Sequence, residues 1–511
     1  MLSTLDLTQI QQHGISKKSA QQQQSFAKQN KKKVHLVRPA LIADGAFPID
    51  KEVIHAVIKT YSDRVSDKKI VKFVPASGAA TRMFKDLFIA LEELSKNENF
   101  DNYPDSVSIF FKNLPEFAFF EQLKNSLKKE NLDIDTLLQE KKYVPILQHL
   151  LTEKGLDYGK FSKGLLLFHR YGEHARTAFE EHLVEAANYT SKKHHVAYLH
   201  FTVLPEQIDA FKLHCQQVVP IYEKRFGITY NINFSTQSPS TDTLAFTPDN
   251  EIFRDKKGKL VFRPGGHGSL IENLNNMDAD IILIRNIDNV ALEKYNSDTM
   301  VYRKWLVCFL ISLINRVYEY LTMFDAGQCS SEDIAKVELF LQKILFIHLK
   351  RNYFSLSLSE KQDYLYRFLN RPMRICGIVK QENEPGGGPF WVKDKKWNES
   401  LQIVETSEIN LADPRQKTIL EDSEFFNPVD LACCIKNHRG EVFNLQNFVD
   451  YSRYFVSEKS HEGKVLKAIE NPGLWNGAMS DWITVFLAVP LSTFTPVKTV
   501  NDLLRKEHRN W

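Results

Sequence analysis

The stretch VPASGAATRMFKDL, residues 74–87, gathers residue types suited to holding phosphate. Ser77, Gly78, Ala79 and Ala80 are small enough for backbone N–H groups to approach a ligand closely. Thr81 opens a helical pattern, and a helix N-terminus carries partial positive charge. Arg82 adds a planar guanidinium able to grip two phosphate oxygens. The spacing fits neither GxxxxGK[ST] nor GxGxxG, which excludes a Walker loop and a dinucleotide fingerprint. The competing reading is a tight strand-to-helix turn with a surface Arg. Asp288, in IRNIDN, follows an apolar run. It could hold Mg²⁺, which binds through one or two carboxylates plus substrate phosphates, or cap a turn or helix. In RPGGHGSL, Gly266, His267 and Gly268 form either a backbone-led contact surface or a tight turn. His267 could stack on a base, donate a hydrogen bond or cap a neighbouring turn.

The elements that must position these residues alternate in type. Ile70, Val71, Phe73 and Val74 make a short apolar run ahead of the loop, suited to a buried strand. Phe84, Leu87, Phe88, Leu91 and Leu94 then recur at helical spacing. Residues 105–161 carry a helical pattern. VAYLHFTVL and ITYNINF read as strands around a helix opened by Pro205, and KLVFR and ADIILIRNI as further strands. Residues 290–369 are helical, and strand character returns at MRICGIVKQ, LQIVET and TVFLAVPL. This order predicts an α/β fold: a mainly parallel mixed sheet, helices on both faces, and helical insertions. The expected organisation is an N-terminal arm (1–66), a nucleotide-binding half (67–290, with an insertion near 105–161), a helical insertion (291–370) and a C-terminal half (371–511). Ligands of such sheets bind at the carboxyl ends of strands, which would bring the loop, Gly266–Gly268 and Asp288 to one rim. Residues 169–187 read as one helix, with His174 and His182 about two turns apart and Glu181 and Glu185 nearby. HExxH is absent, so a salt-bridged helix is preferred to a metal site, with Arg170 or Arg176 as a candidate phosphate clamp.

At 511 residues the chain is too long for a single core. Its 66 basic residues nearly balance 63 acidic ones, which argues against a general nucleic-acid binder. The six cysteines contain no CxxC pair, and Cys433 and Cys434 read as small buried hydrophobes. A reduced intracellular chain without a zinc site is expected. The N-terminus lacks the basic-then-apolar order of a signal peptide. The apolar run WLVCFLISLI, residues 305–314, is half of the roughly 20 residues that span a bilayer. A cytoplasmic protein without a membrane partner is expected.

SGAATRM resembles the Gly-Gly-x-Gly-Thr-Arg-Leu signature of sugar-nucleotide pyrophosphorylases, nucleotidyltransferases with a GT-A-like, Rossmann-like fold, and within them the UDP-N-acetylhexosamine pyrophosphorylases. Further segments are similar to this family in the same order. NFSTQSPS resembles a strand with a base-contacting Gln, here Gln237. RPGGHGSL resembles the segment bordering the base. IRNIDN resembles a motif whose Asp binds metal and phosphate, here Asp288. LQIVETSEI is similar to a strand whose first Glu holds sugar hydroxyls, here Glu405, and FNPVDLACC points to Asn427 beside the sugar. STFTPVKTVNDL resembles a segment whose Lys contacts phosphates, here Lys498. Ser77 and Ala80 stand where the signature has glycine, and His267 where the family has Asn. The Pro-Lys-Gly that usually follows the signature is absent, with Lys85 the nearest stand-in. The whole chain also resembles a bacterial family, classed only as a domain of unknown function, that shares the VPASGAATRM opening.

The first resemblance implies an enzyme that transfers a nucleotidyl group, UMP by preference, from a nucleoside triphosphate to a sugar 1-phosphate, releasing pyrophosphate. Arg82 and Lys498 would be catalytic. Ser77, Gly78, Ala79, Thr81, Gln237, Gly266, His267 and Gly268 would bind nucleotide, Glu405 and Asn427 the sugar, and Asp288 the Mg²⁺. The departures motivate a second reading, a nucleotide or sugar-phosphate sensor without turnover. A third is a glycosyltransferase using a nucleotide sugar.

Overall fold

Strand Ile70–Pro75 forms where β-branched and aromatic residues run together, and Val71, Phe73 and Val74 are at most 4% exposed. It belongs to a computed structural model that describes residues 2–29, 33–78, 80–97, 103–189, 195–327, 329–382, 387–394, 398–461 and 463–510. The chain divides into two compact units. One comprises Met1–Arg64, Gln237–Leu283 and Trp305–Val489; the other comprises Val65–Thr236, Ile284–Lys304 and Pro490–Trp511. This differs from the linear division expected from sequence. The N-terminal arm and the helices after residue 305 join the C-terminal strands, and residues 490–511 return to the unit that holds the loop.

In the first unit, strands Gly45–Phe47, Ile483–Ala488 and Met373–Lys380 run parallel, and Asp430–Cys434 adds an antiparallel neighbour, with Ile375 opposite both Val485 and Ala432. Met373–Lys380 is buried from Met373 to Val379, as a strand covered on both faces must be. Two antiparallel sheets complete this unit. Leu36–Pro39, Gly387–Asp394 and Asn398–Glu405 form one, and Phe262–Arg263, Thr243–Phe246, Lys464–Glu470 and Phe455–His461 the other.

In the second unit, Ile70–Pro75, Val196–Val203 and Thr229–Thr236 lie side by side and parallel, Phe73 opposite His200 and His200 opposite Asn233. Helix Lys85–Lys96 follows the loop. The helical stretch expected from residue 105 is four helices, Asp105–Lys112, Phe120–Lys128, Ile134–Gln139 and Tyr143–Leu151. Their residues Phe110, Leu123, Ile146 and Leu150 share one core with Phe84, Leu87, Phe179 and Phe201. The architecture is thus a mixed α/β fold with mainly parallel central strands.

Two expectations are corrected. Residues 169–187 are not one helix: Leu167–Tyr171 and His174–Thr177 form an antiparallel hairpin, and only Ala178–Ala187 is helical. Gly172, at φ +63, supplies the left-handed residue that a two-residue hairpin turn requires. Thr177 and Glu180 then form a capping box that starts the helix. His174 is exposed on the hairpin and His182 is buried on the helix, so the two do not share a face. The apolar run 305–314 lies inside helix Ser297–Asp325, whose 29 residues are long and apolar enough to cross a membrane by length and composition alone. Leu306, Val307, Cys308 and Leu310 of this helix are buried in the fold.

Phe201 is fully buried, with ring centroids of Phe179, Phe211 and Phe234 4.7, 6.5 and 5.9 Å away. Phe201→Ala should cost about 3–5 kcal/mol of stability, read as a lowered urea midpoint with unchanged slope.

Candidate functional site

In the second unit the loop after Ile70–Pro75 is fastened from beneath. The Ala76 N–H donates to Thr202 O (2.9 Å), and the Ser162 hydroxyl donates to Ala76 O (2.7 Å). The Ala80 N–H donates to Phe161 O (3.0 Å) and the Thr81 hydroxyl to Gly159 O (3.1 Å). Ala80 is fully buried in the core, so its methyl group faces away from the open side of the loop. Ser77 is half-buried and Gly78 exposed, and their backbone amides donate to no acceptor among the described residues. A Cβ built on Gly78 would meet nothing within 4 Å. Ala79 lies outside the described residues. Arg82 closes a short 3₁₀ turn, is exposed, and has no hydrogen-bond or ion-pair partner among the described residues. Helix Lys85–Lys96 begins just beyond, without a side-chain cap.

Asp288 follows strand Ile281–Arg285 and is 6% exposed. Lys163 Nζ donates to its Oδ2 (2.9 Å), and Lys498 Nζ lies 3.2 Å from Oδ2 and 3.4 Å from Oδ1. The backbone completes the clasp: the Val497 N–H donates to Asp288 O (3.0 Å), and Lys163 Nζ also donates to Val497 O (2.7 Å). The Val500 N–H donates to Met83 O (3.1 Å), tying the Lys498 segment to the loop's end. Burial works to raise the Asp288 carboxyl pKa, but the ammonium groups of Lys163 and then Lys498 outweigh it and hold it below the ordinary carboxylate range. Of the residues singled out from sequence, Asp288 and Lys498 bond each other directly, and the bonds of the neighbouring Ala76 and Met83 bring the loop residues Ser77, Gly78, Thr81 and Arg82 to the same segments.

Lys163 was not legible as a member of this site. It stands in FSKGLL, whose Ser162 is 86 positions from Ala76, and only the fold places that Lys-Gly pair against the loop. Lys85 is exposed on the first turn of the helix after the loop. Arg176, the candidate clamp, is engaged instead with Glu293 (3.0 Å) and Glu181 (3.5 Å) and lies over the Tyr171 ring. Arg170 is exposed and bonds Gly172 O (3.2 Å).

The remaining candidates lie in the first unit. Gly268 packs so tightly that an added Cβ would stand 2.0 Å from Pro472 O, and Gly266 has φ +76. The RPGGHG glycines thus fit the segment against residues 470–473. His267 stacks on Trp475 (centroids 4.4 Å, 23°), and its Nδ1 accepts the Leu474 N–H (3.1 Å). Burial lowers its pKa against the opposing pull of Glu405, Glu470 and Glu408. A neutral ring accepting at Nδ1 carries its proton on Nε2 and offers a donor there. Glu405 is half-buried at the end of Asn398–Glu405, and its N–H donates to Glu408 Oε2 (2.9 Å). Gln237 is half-buried and donates to Asp242 (3.3 Å). Asn427 braces backbone: its Nδ2 donates to Gly377 O (2.9 Å) and its Oδ1 accepts the Val429 N–H (3.1 Å).

No group of three or more His, Cys, Asp or Glu among the described residues could by itself hold a metal ion. Asp288 is a single carboxylate, which suits a Mg²⁺ ion sharing its shell with phosphate oxygens and water, not an all-protein cage.

A protein family described as a domain of unknown function (DUF4301) matches residues 3–509. The chain belongs to that family. No curated protein matches the sequence. Among solved structures, the uridine diphosphate N-acetylglucosamine pyrophosphorylase of Trypanosoma brucei is similar over 95% of this chain and 74% of its own, at 11% identity and a TM-score of 0.46. The UDP-glucose pyrophosphorylase of Leishmania major is similar over 99% of this chain and 80% of its own, at 11% identity and a TM-score of 0.45.

Asp288→Ala strands Lys163 in a largely buried position and should cost about 3 kcal/mol at pH 7. A carboxyl pKa lowered by folding contributes stability above the unfolded value of about 3.9, and that contribution is lost as pH falls through the lower folded value. The variant's deficit should therefore narrow in acid, measured by urea unfolding between pH 7 and pH 3.

Proposed function

We propose that the protein transfers a nucleotidyl group, UMP by preference, from a nucleoside triphosphate to a sugar 1-phosphate, releasing pyrophosphate. The observation that carries this reading is Asp288 clasped by Lys163 and Lys498 beside a loop whose Ser77 and Gly78 amides and Arg82 guanidinium have no partner among the described residues. Such a cluster suits a reaction between two polyanions, in which repulsion and alignment are the main obstacles. The attacking sugar phosphate oxygen is already anionic, so no protein nucleophile is needed. Arg82 and the loop amides would hold the leaving pyrophosphate. Lys163 and Lys498, which now share Asp288, would turn to the phosphate oxygens as charge builds at the α-phosphorus. Asp288 would hold the Mg²⁺, which when bound would supply charge neutralisation across the phosphates. Gln237 and the Gly266–Gly268 backbone would select the base, with His267 Nε2–H as a donor. Glu405 would accept hydrogen bonds from sugar hydroxyls; Asn427, with both side-chain groups already engaged, is the weaker candidate for that role.

The sensor reading keeps one specific observation in its favour. The Asp288 carboxylate is already satisfied by two ammonium groups, an arrangement that is stable without turnover.

Binding and turnover separate the two. A nucleoside triphosphate at 100 times its Kd should add about 2.7 kcal/mol of stability, lost in Arg82→Ala. With the matching sugar 1-phosphate and Mg²⁺, pyrophosphate release should follow, and Lys163→Met or Arg82→Ala should slow it by roughly 10²–10³. Stabilisation without pyrophosphate release from any sugar 1-phosphate would favour the sensor. No stabilisation by any nucleotide would end the transferase reading.

A further inference from the structure

The first unit contains a cavity of about 450 Å³, lined by apolar and polar side chains, which none of the assignments above uses. It is a different place from the candidate sugar position. Gln402 lines it, whereas Glu405 stands three residues further along the same strand, and side chains an odd number apart point to opposite faces.

Its exposed rim carries basic side chains, and the half-buried Asp481, paired with Arg371 (3.5 Å), also lines it. Lys33 and His35 are two apart on an extended segment and so share a face, and the Lys393 N–H donates to His35 O (3.1 Å). All three side chains are exposed. Lys33 Nζ makes one bond, to Ser407 O (3.0 Å), and the ammonium of Lys393 has no partner among the described residues.

The facing wall is of another kind. Asp450 uses Oδ1 to accept the Ser452 N–H (3.1 Å) and hydroxyl (2.7 Å), leaving Oδ2 without a partner among the described residues. Asn447 presents an exposed side-chain amide. Arg453, 4% exposed, is held rigidly by Glu408 through Nε (2.8 Å) and Nη2 (2.9 Å), by Ile403 O (3.0 Å) and by Gln402. Glu408 also accepts the N–H of Glu405, so this wall stands two hydrogen bonds from that residue.

We infer that this cavity binds a phosphorylated polyol, with the phosphate at the mouth on Lys33, His35 and Lys393 and the hydroxyl groups on Asp450 and Asn447. Flexible ammonium groups and an imidazole suit a phosphate that stays partly in solvent. A carboxylate and an amide carry the acceptor and donor pairs that adjacent hydroxyls require, and a rigid, buried Arg453 fixes the wall against which they register. The volume falls in the usual range for small-molecule sites. The inference is independent of the transferase reading, because none of these residues is assigned a role there.

Isothermal titration calorimetry of the full chain tests it, with glucose 6-phosphate, ribose 5-phosphate and glycerol 3-phosphate as probes, and glucose and inorganic phosphate as controls. At least one phosphorylated polyol should bind more tightly than either control. Lys33→Glu/Lys393→Glu should weaken that binding about tenfold or more, since it reverses charge at the phosphate end. Asn447→Ala should weaken the polyol phosphate without affecting inorganic phosphate. Arg82→Ala should leave the titration unchanged. No binding of any of the three probes would overturn the inference, as would binding indifferent to the double lysine variant in protein shown to be folded. Inorganic phosphate binding as tightly as the best probe would overturn the polyol assignment. Loss of binding in Arg82→Ala would move the ligand to the other unit and overturn it as well.

Discussion

A lysine in the middle of a buried strand has to be met by a carboxylate, because an isolated charge removed from water is too costly to keep. Lys72, in Ile70–Pro75, is 2% exposed and pairs with the fully buried Glu185 of helix Ala178–Ala187. Arg303 joins the same carboxylate at 2.6 Å and also donates to the Tyr189 hydroxyl (2.7 Å). Burial would raise the Glu185 pKa; Arg303 and Lys72 overcome it and keep the group ionised. One helix is thereby pinned to the strand that launches the loop. The same helix reaches the strand end that carries Asp288, since the ring of His182 hydrogen-bonds Ile287 O (3.1 Å). The loop and the carboxylate owe their relative positions to this helix, although none of its residues is among the candidate ligands.

A second buried polar chain works from the other end of the helix. Glu181 accepts the Tyr171 hydroxyl (2.8 Å) and pairs with His169 (3.0 Å), which in turn bonds His508 (2.8 Å). Burial holds His508 well below the usual imidazole range. His508 belongs to the same returning tail as Lys498, and the Leu292 N–H donates to Glu507 O (2.9 Å). The cluster of His, Glu and Arg that draws attention in residues 169–187 is thus a brace that docks the tail. Chemistry-bearing residue types are used here for fastening, whereas Lys163 and Lys498 meet Asp288.

What could be read from sequence follows from how local each signal is. The apolar run of Ile70–Pro75, the small-residue loop and the helical spacing from Phe84 to Leu94 all lie within a few turns of chain, and they were legible. The hairpin at 167–177 reads as helix in the sequence because its charged residues can be placed on a helix as easily as on two short strands. Gly172 and the Thr177–Glu180 capping box were the local signs against that reading. Lys163 was invisible as a site residue because its partners Asp288 and Val497 stand 125 and 334 positions away. For the same reason no local pattern could show that Lys33, His35 and Lys393 share the mouth of one cavity.

The returning tail also sets an order of events during biosynthesis. Val497, Val500 and Leu503 are buried in the core that contains Val74 and Phe84, and Lys498 supplies part of the charge facing Asp288. While the ribosome is still translating the middle of the chain, the second unit has its strands and helices but lacks a wall of its core and one of the two cations of its clasp. It can collapse early, yet it can acquire its final packing only after residues 490–511 have emerged. Contacts between segments this far apart in sequence are slow to form, and they leave apolar surface open in the interval. Residues 490–511 are therefore the segment whose arrival closes the core of the second unit.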